Sequence, residues 1–167
     1  MRFEDLQPAF EAGRAPILPL EGRYKGRLLA LRVLPGFTQL IGLATRLYMP
    51  WRGKAFEAEQ GTGYNIFSRS ALLPSYFLWP TYRGYRNDGP TTFRSFYFKT
   101  WTGTGLMDPR TQVLKIEYAG MKNPKLSISR VLDEVVETEE GRLLGKAHLK
   151  WWFGGWQTVA FFEMEKW

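Results

Sequence analysis

The second half of the chain is a succession of short β-type segments with no helical spacing between them, and this limits the fold more than any other feature. Residues 92–101 are aromatic and β-branched. In 112–118, Leu114, Ile116 and Tyr118 alternate with Val113, Lys115 and Glu117. In 126–137, Leu126, Ile128, Leu132 and Val136 share one face. In 143–152, Leu143, Ala147, Leu149 and Trp151 share one face, while Lys146, His148 and Lys150 take the other. Gly154-Gly155 marks a turn, and 157–166 reads as a last strand. Strands joined by short turns, without crossover helices, form an antiparallel meander. A meander of about eight strands removes its exposed edges by closing on itself. The expected fold is therefore mainly β, an antiparallel up-and-down barrel.

The first half adds two helices and more strands. Phe3, Leu6 and Phe10 fall on one face of a helix over 2–13, with Gly13 placed for a left-handed cap. Pro16 and Pro19 make an extended linker. Residues 22–33 read as the first long strand, ended by Pro35-Gly36. Phe37, Leu40, Ile41, Ala44, Leu47 and Tyr48 then recur at helical spacing, which predicts an amphipathic helix over 37–48, stopped by Pro50. Residues 54–59 and 63–69 are strand candidates. Residues 70–82 are apolar, carry prolines, and read as a buried loop or a lid, and 83–90 as a polar turn. One domain, 1–167, is expected: 1–20 as N-terminal helix and linker, 21–167 as barrel.

Composition narrows the function. Aromatic residues make up 16% of the chain, with 7 Trp, 8 Tyr and 12 Phe. Such side chains cover pleated sheets and also line small-molecule pockets. The net charge is +7, but Lys and Arg are scattered singly, in no run of about five or more, so solvated basic faces are expected and no nucleic-acid partner. Without cysteine there is no disulfide, thiolate metal site or cysteine nucleophile. The charged start, Met1-Arg2-Phe3-Glu4-Asp5, is unlike a signal peptide, and no stretch reaches the ~18 apolar residues of a membrane span. A cytoplasmic location is expected.

Two short motifs carry a resemblance. Gly22-Arg23-Tyr24-Lys25-Gly26 is similar to the Gly-x-Trp motif of calycin barrels (lipocalins, fatty-acid-binding proteins and nitrobindin-like proteins), with Tyr24 in place of Trp. Trp51-Arg52-Gly53-Lys54-Ala55-Phe56 follows at the distance at which uncharacterised bacterial GxWxG-type domains carry Trp-x-Gly-Lys-x-Phe. Leu132-Asp133-Glu134 and Leu143-Leu144-Gly145 resemble the late Asp and Leu-Gly pair of those domains. The resemblance implies a calycin-like barrel whose motif aromatic plugs the closed end. It implies no activity. Nitrobindin-like proteins bind haem through a late histidine; here the single histidine, His148, lies by alternation on the polar outer face, so an exposed structural histidine and no cofactor are expected.

The candidate site residues follow from strand parity. Arg130 and Glu134 share parity with Leu126, Ile128, Leu132 and Val136, and Arg94 with Phe96 and Phe98. If those faces line the barrel, the arginines would hold a ligand carboxylate and Glu134 would act as acid or base. A single bulge would turn them outward, and an ion pair of Asp133-Glu134 with Lys99 or Arg130 would be structural. Tyr64 and Asn65 are further polar candidates, Tyr64 also as a catalytic partner of Glu134. Tyr76, Phe77, Trp79 and Tyr82 form a lid, with Phe96, Phe98 and Trp151 as aromatic lining. No metal set is present. The reading is a module that binds a small apolar or amphipathic molecule with a carboxylate or carbonyl end. The alternatives are an isomerase or cyclase acting on a polyene or polyketide-like substrate in the same cavity, and a membrane-surface or structural protein.

Overall fold

The computed structural model describes residues 2–32, 50–139 and 141–167, so the helix expected over 37–48 lies outside the described residues. Nine strands are described: β1 (Gly22–Leu31), β2 (Trp51–Glu57), β3 (Thr62–Ser68), β4 (Arg86–Asn87), β5 (Thr92–Thr104), β6 (Gln112–Glu117), β7 (Val131–Glu139), β8 (Arg142–Lys150) and β9 (Trp156–Lys166). The two-residue β4 flanks β5. The other eight pair antiparallel in a ring, closed by β3 against β5 and by β1 against β9. The sheet therefore has no long free edge to template aggregation.

The ring has two unlike ends. At one, tight turns join β2 to β3 and β7 to β8, and residues 105–111 join β5 to β6. At the other, longer connections run over 69–91 and 118–130, and β8 turns into β9 over 151–155. The turn end is filled solid by Tyr24, Phe56, Phe98, Ile116, Leu143 and Met164, all buried. Aromatic edge-to-face contacts order this plug, with Phe56 packed on Tyr24 at 5.3 Å and on Phe98 at 5.5 Å.

The two sequence motifs pack against each other. Gly26 leaves its strand bare, and the Trp51 indole lies on it; a β-carbon there would fall 2.3 Å from the ring. Gly53 has φ 144°, and a β-carbon on it would sit 1.9 Å from the Tyr24 carbonyl oxygen. Gly53→Ala is therefore expected to destabilise the fold by ~1–3 kcal/mol, the usual range for one strained backbone site. Urea denaturation checks this, and an unchanged midpoint would mean that β1 and β2 do not approach so closely.

Helix α1 (Phe3–Ala12) packs on the outside of the barrel. Leu6 and Phe10 meet Val113, Val136, Leu144 and Phe161 in a second apolar cluster. Gly13 ends the helix in extended conformation (φ −73°, ψ 171°), not in the expected left-handed cap. Glycine is needed there because a β-carbon would collide with Val136 at 2.5 Å.

Residues 70–82 are a loop only over 79–82. After a 3-10 turn (Arg69–Ala71), helix α2 (Leu72–Leu78) forms, which tolerates Pro74 because the first turn of a helix needs no backbone donor. No helix among the described residues is long and apolar enough to cross a membrane.

Candidate functional site

A cavity of about 300 Å³ occupies the barrel at the end of the long connections. Its walls include Trp51, Phe67, Trp79, Phe96, Ile128 and Phe162. That volume lies at the lower limit of small-molecule sites, ~300–1,000 Å³. Four polar side chains interrupt the apolar wall: Lys54, Asn65, Tyr118 and Asp133.

These four form one connected cluster. The Lys54 ammonium donates to Asp133 Oδ2 at 2.9 Å, to Asn65 Oδ1 at 2.8 Å and to the Tyr118 hydroxyl. Tyr118 in turn donates to Asp133 Oδ2 at 2.8 Å. Trp51 Nε1 donates to Asn65 Oδ1 at 3.0 Å, and Asn65 Nδ2 donates to the Phe96 carbonyl at 3.0 Å. The rings of Trp51, Phe98, Tyr118 and Phe162 stand 5.2–5.6 Å from the ammonium, a cation–π environment. Burial lowers the Lys54 pKa, opposed by the charge of Asp133 and its hydrogen bond. Burial, helped by the Asp133 charge, holds the Tyr118 pKa well above the ordinary phenol value.

Backbone irregularities place this cluster. Trp51 and Lys54 both face the cavity, although three positions apart, because the β2–β3 register slips between Trp51 and Gly53. Phe96 has φ 51°, a strained conformation for an aromatic residue. It is held from both sides: its N–H donates to the Tyr82 hydroxyl at 3.0 Å while its carbonyl accepts from Asn65.

The residues singled out in the sequence divide accordingly. Asn65, Trp79 and Phe96 line the cavity, and Phe98 lies in the solid plug beneath it. Trp79 is fixed by donating from Nε1 to Ser127 Oγ at 2.9 Å. Tyr64 is on the outer face, with Tyr97 at 6.0 Å and the Arg94 guanidinium 5.0 Å from its ring centre. Arg94 is thus also outside, because the bulge at Phe96 breaks the parity that linked it to Phe96 and Phe98. Tyr76 is exposed on α2, packed on Tyr85 at 4.7 Å, and Trp151 sits in the β8–β9 turn, where it donates to Gln157.

Arg130 does not enter the barrel. It ends a 3-10 turn (Ile128–Arg130), donates to the Lys150 carbonyl at 2.9 Å and lies over the Trp152 ring. Its strand runs in the opposite phase to that expected: Val131, Asp133 and Val135 face inward, Glu134 and Val136 outward.

Glu134 belongs to a different cluster on the outer wall. It accepts from Lys115 Nζ at 2.6 Å, from the Leu106 N–H at 2.8 Å and from His148 Nε2 at 3.1 Å. Thr158 Oγ1 contacts His148 Nδ1 at 3.0 Å. His148 does face outward, as alternation implied, but it is fully buried, not exposed. Burial alone would raise the Glu134 pKa; the hydrogen bonds from His148 and Lys115, the His148 charge and the Leu106 N–H outweigh it and hold the carboxyl below its ordinary value. Nearby, Lys146 donates to Asp108, which also accepts from Gln7 of α1. These contacts pin the 105–111 turn and α1 to the barrel. The acid–base pairing of Glu134 with Tyr64 is therefore not made: both side chains lie outside, on different parts of the wall.

Lys54, Asp133 and Tyr118 were not singled out as site residues in the sequence. Lys54 and Asp133 stood out only as motif positions, and Asp133 pairs with Lys54, not with the Lys99 or Arg130 considered for it. Among the described residues no group of three or more His, Asp or Glu side chains is placed to hold a metal ion. Comparison with protein-family models, with curated proteins and with solved structures finds no match.

Proposed function

We propose that the protein binds a small apolar molecule with one neutral polar end, a carbonyl or hydroxyl, in the barrel cavity, on a calycin-like scaffold. The observation that carries this reading is the single polar cluster in an otherwise apolar wall. Its one cation, Lys54, is already matched by its one anion, Asp133. A ligand carboxylate would add an unmatched buried charge, which is costly. The arginines expected to neutralise a carboxylate, Arg94 and Arg130, lie outside the cavity. A neutral acceptor needs only to share a donor from Trp51, Asn65 or Lys54.

The test is native mass spectrometry of the purified protein, followed by displacement of a fluorescent apolar probe. A long-chain ketone is expected to displace the probe at least ~10-fold better than the fatty acid of equal length at neutral pH, a ratio equivalent to ~1.4 kcal/mol. Equal or better displacement by the fatty acid would remove the neutral-end assignment. Ala147→Trp, which fills the cavity wall, is expected to abolish probe uptake.

A second reading, an isomerase or cyclase on a polyene or polyketide-like substrate, rests on the Lys54–Tyr118–Asp133 hydrogen bonds, along which a proton can pass. In it Tyr118 and Asp133 take the roles that the sequence offered to Tyr64 and Glu134. Turnover unaffected by Tyr118→Phe, in a working assay, would eliminate it.

A further inference from the structure

We infer that the open end of the barrel docks on an anionic membrane surface, from which the cavity is loaded. The docking stands on surface chemistry alone, whereas the loading rests on the ligand-binding reading above.

The three described connections at this end carry large apolar side chains that face solvent. On α2 these are Leu73, Phe77 and Leu78; on 118–130, Leu126; on the β8–β9 turn, Trp152 and Phe153. Phe77 is 87% exposed and Phe153 86%. The turn end also exposes apolar side chains, among them Trp101, Leu106, Met107 and Trp167, most of them less fully; these six are distinguished by the excess of cations among which they stand. The connections are physically joined. Trp79, at the end of α2, bonds Ser127, and Arg130 bonds the Lys150 carbonyl and covers Trp152. The cavity walls Trp79, Ile128 and Val131 belong to these connections or adjoin them, so the described part of the apolar rim borders the cavity.

Charge selects the occupant. The same connections hold Arg69, Arg83, Arg86, Lys122, Lys125 and Arg130 against a single acid, Asp88, which is paired with Arg23 at 2.9 Å. At the turn end acids and bases are mixed: Glu57, Glu59, Glu137, Glu139 and Glu165 stand among Arg14, Arg110, Arg142 and Lys166, with Glu137 paired to Arg14 and Glu139 to Arg142. The three connections, with five positive charges in excess, thus carry most of the net charge of +7. Aromatic and leucine side chains ringed by Lys and Arg match an interface of apolar lipid and anionic headgroups.

The experiment is co-sedimentation of the full chain with vesicles of phosphatidylcholine alone, or with phosphatidylserine at about one lipid in three. Binding is expected only with the anionic vesicles and should weaken as salt rises. Phe77→Ser with Phe153→Ser should weaken it at least ~10-fold without lowering Tm, since both side chains are largely in solvent and Phe153 meets only the Trp151 ring. Lys122→Glu with Lys125→Glu should weaken it similarly. Equal binding to both vesicle types, no binding to either, or unchanged binding by both double variants would overturn the proposal. If sedimentation fails while analytical ultracentrifugation shows a dimer that Phe77→Ser/Phe153→Ser dissolves, the surface belongs to a second copy instead. Ala147→Trp separates the two readings: loss of probe uptake with retained sedimentation upholds docking, and retained probe uptake would count against the cavity alone.

Discussion

Lys54→Met is expected to lower the unfolding free energy by about 3–5 kcal/mol, the range seen when one partner of a buried ion pair is removed. Methionine replaces the volume of the side chain but none of its donors. Asp133, almost wholly buried, would keep only the Tyr118 hydroxyl as a hydrogen-bond donor. Asn65 would retain the Trp51 donor, so the loss is concentrated on the carboxylate. Adding Asp133→Leu should restore most of the stability, because an apolar pair needs no desolvation of charge. A urea denaturation cycle over the two single variants and the double variant reads this as a coupling energy. The same variants separate stability from function. In the double variant the fold should persist, and the preference of the cavity for a ketone over the matching alkane should shrink without vanishing, because Trp51 and Asn65 remain as donors. A loss below ~1 kcal/mol in Lys54→Met would show that Asp133 is not held as an ion dependent on Lys54.

The strand succession of the second half was legible because period-two segments with short turns have few other solutions. Closure into an eight-strand ring followed from the same logic of edges. The inward face of β7 was not legible, because both of its faces are apolar. Val131 and Val135 look into the barrel, while Leu132 and Val136 lie on the opposite face, where α1 shields Val136 from water. Alternation distinguishes faces only when one of them meets solvent. The same cover buries Lys146 and His148, which read from sequence as a solvated edge of β8. Two local shifts hid the rest of the site. The slip at Gly53 turns Lys54 inward together with Trp51, and the positive φ of Phe96 turns Arg94 outward. A bulge reverses the parity of every residue beyond it and leaves no compositional mark except, here, a glycine. Asp133 was hidden for the reason that exposed Glu134: counting parity along one strand selects one carboxylate or the other, and the covered outer wall removed the cue for choosing.

Glu134→Gln is expected to cost about 3 kcal/mol at neutral pH, within the range for breaking a buried pair, because Lys115 then loses its buried counter-charge. The loss should be pH-dependent in a definite sense. The Glu134 carboxyl is held below its ordinary value, so the folded state retains the charge more readily than the unfolded chain. The stabilisation is complete above the unfolded carboxyl range, ~4.3, and is lost as pH falls through it towards the folded value. The wild-type protein should therefore lose stability steeply from about pH 5 downward, and the variant less so, the two curves converging in acid. A local signature should accompany the global one. The Leu106 amide donates to Glu134, and a glutamine oxygen accepts more weakly than a carboxylate, so exchange of that amide should quicken along with the 105–111 turn. Parallel stability curves for the two proteins between about pH 7 and pH 3, or an unchanged Leu106 exchange rate, would show that the outer cluster neither carries the acid sensitivity nor anchors the turn.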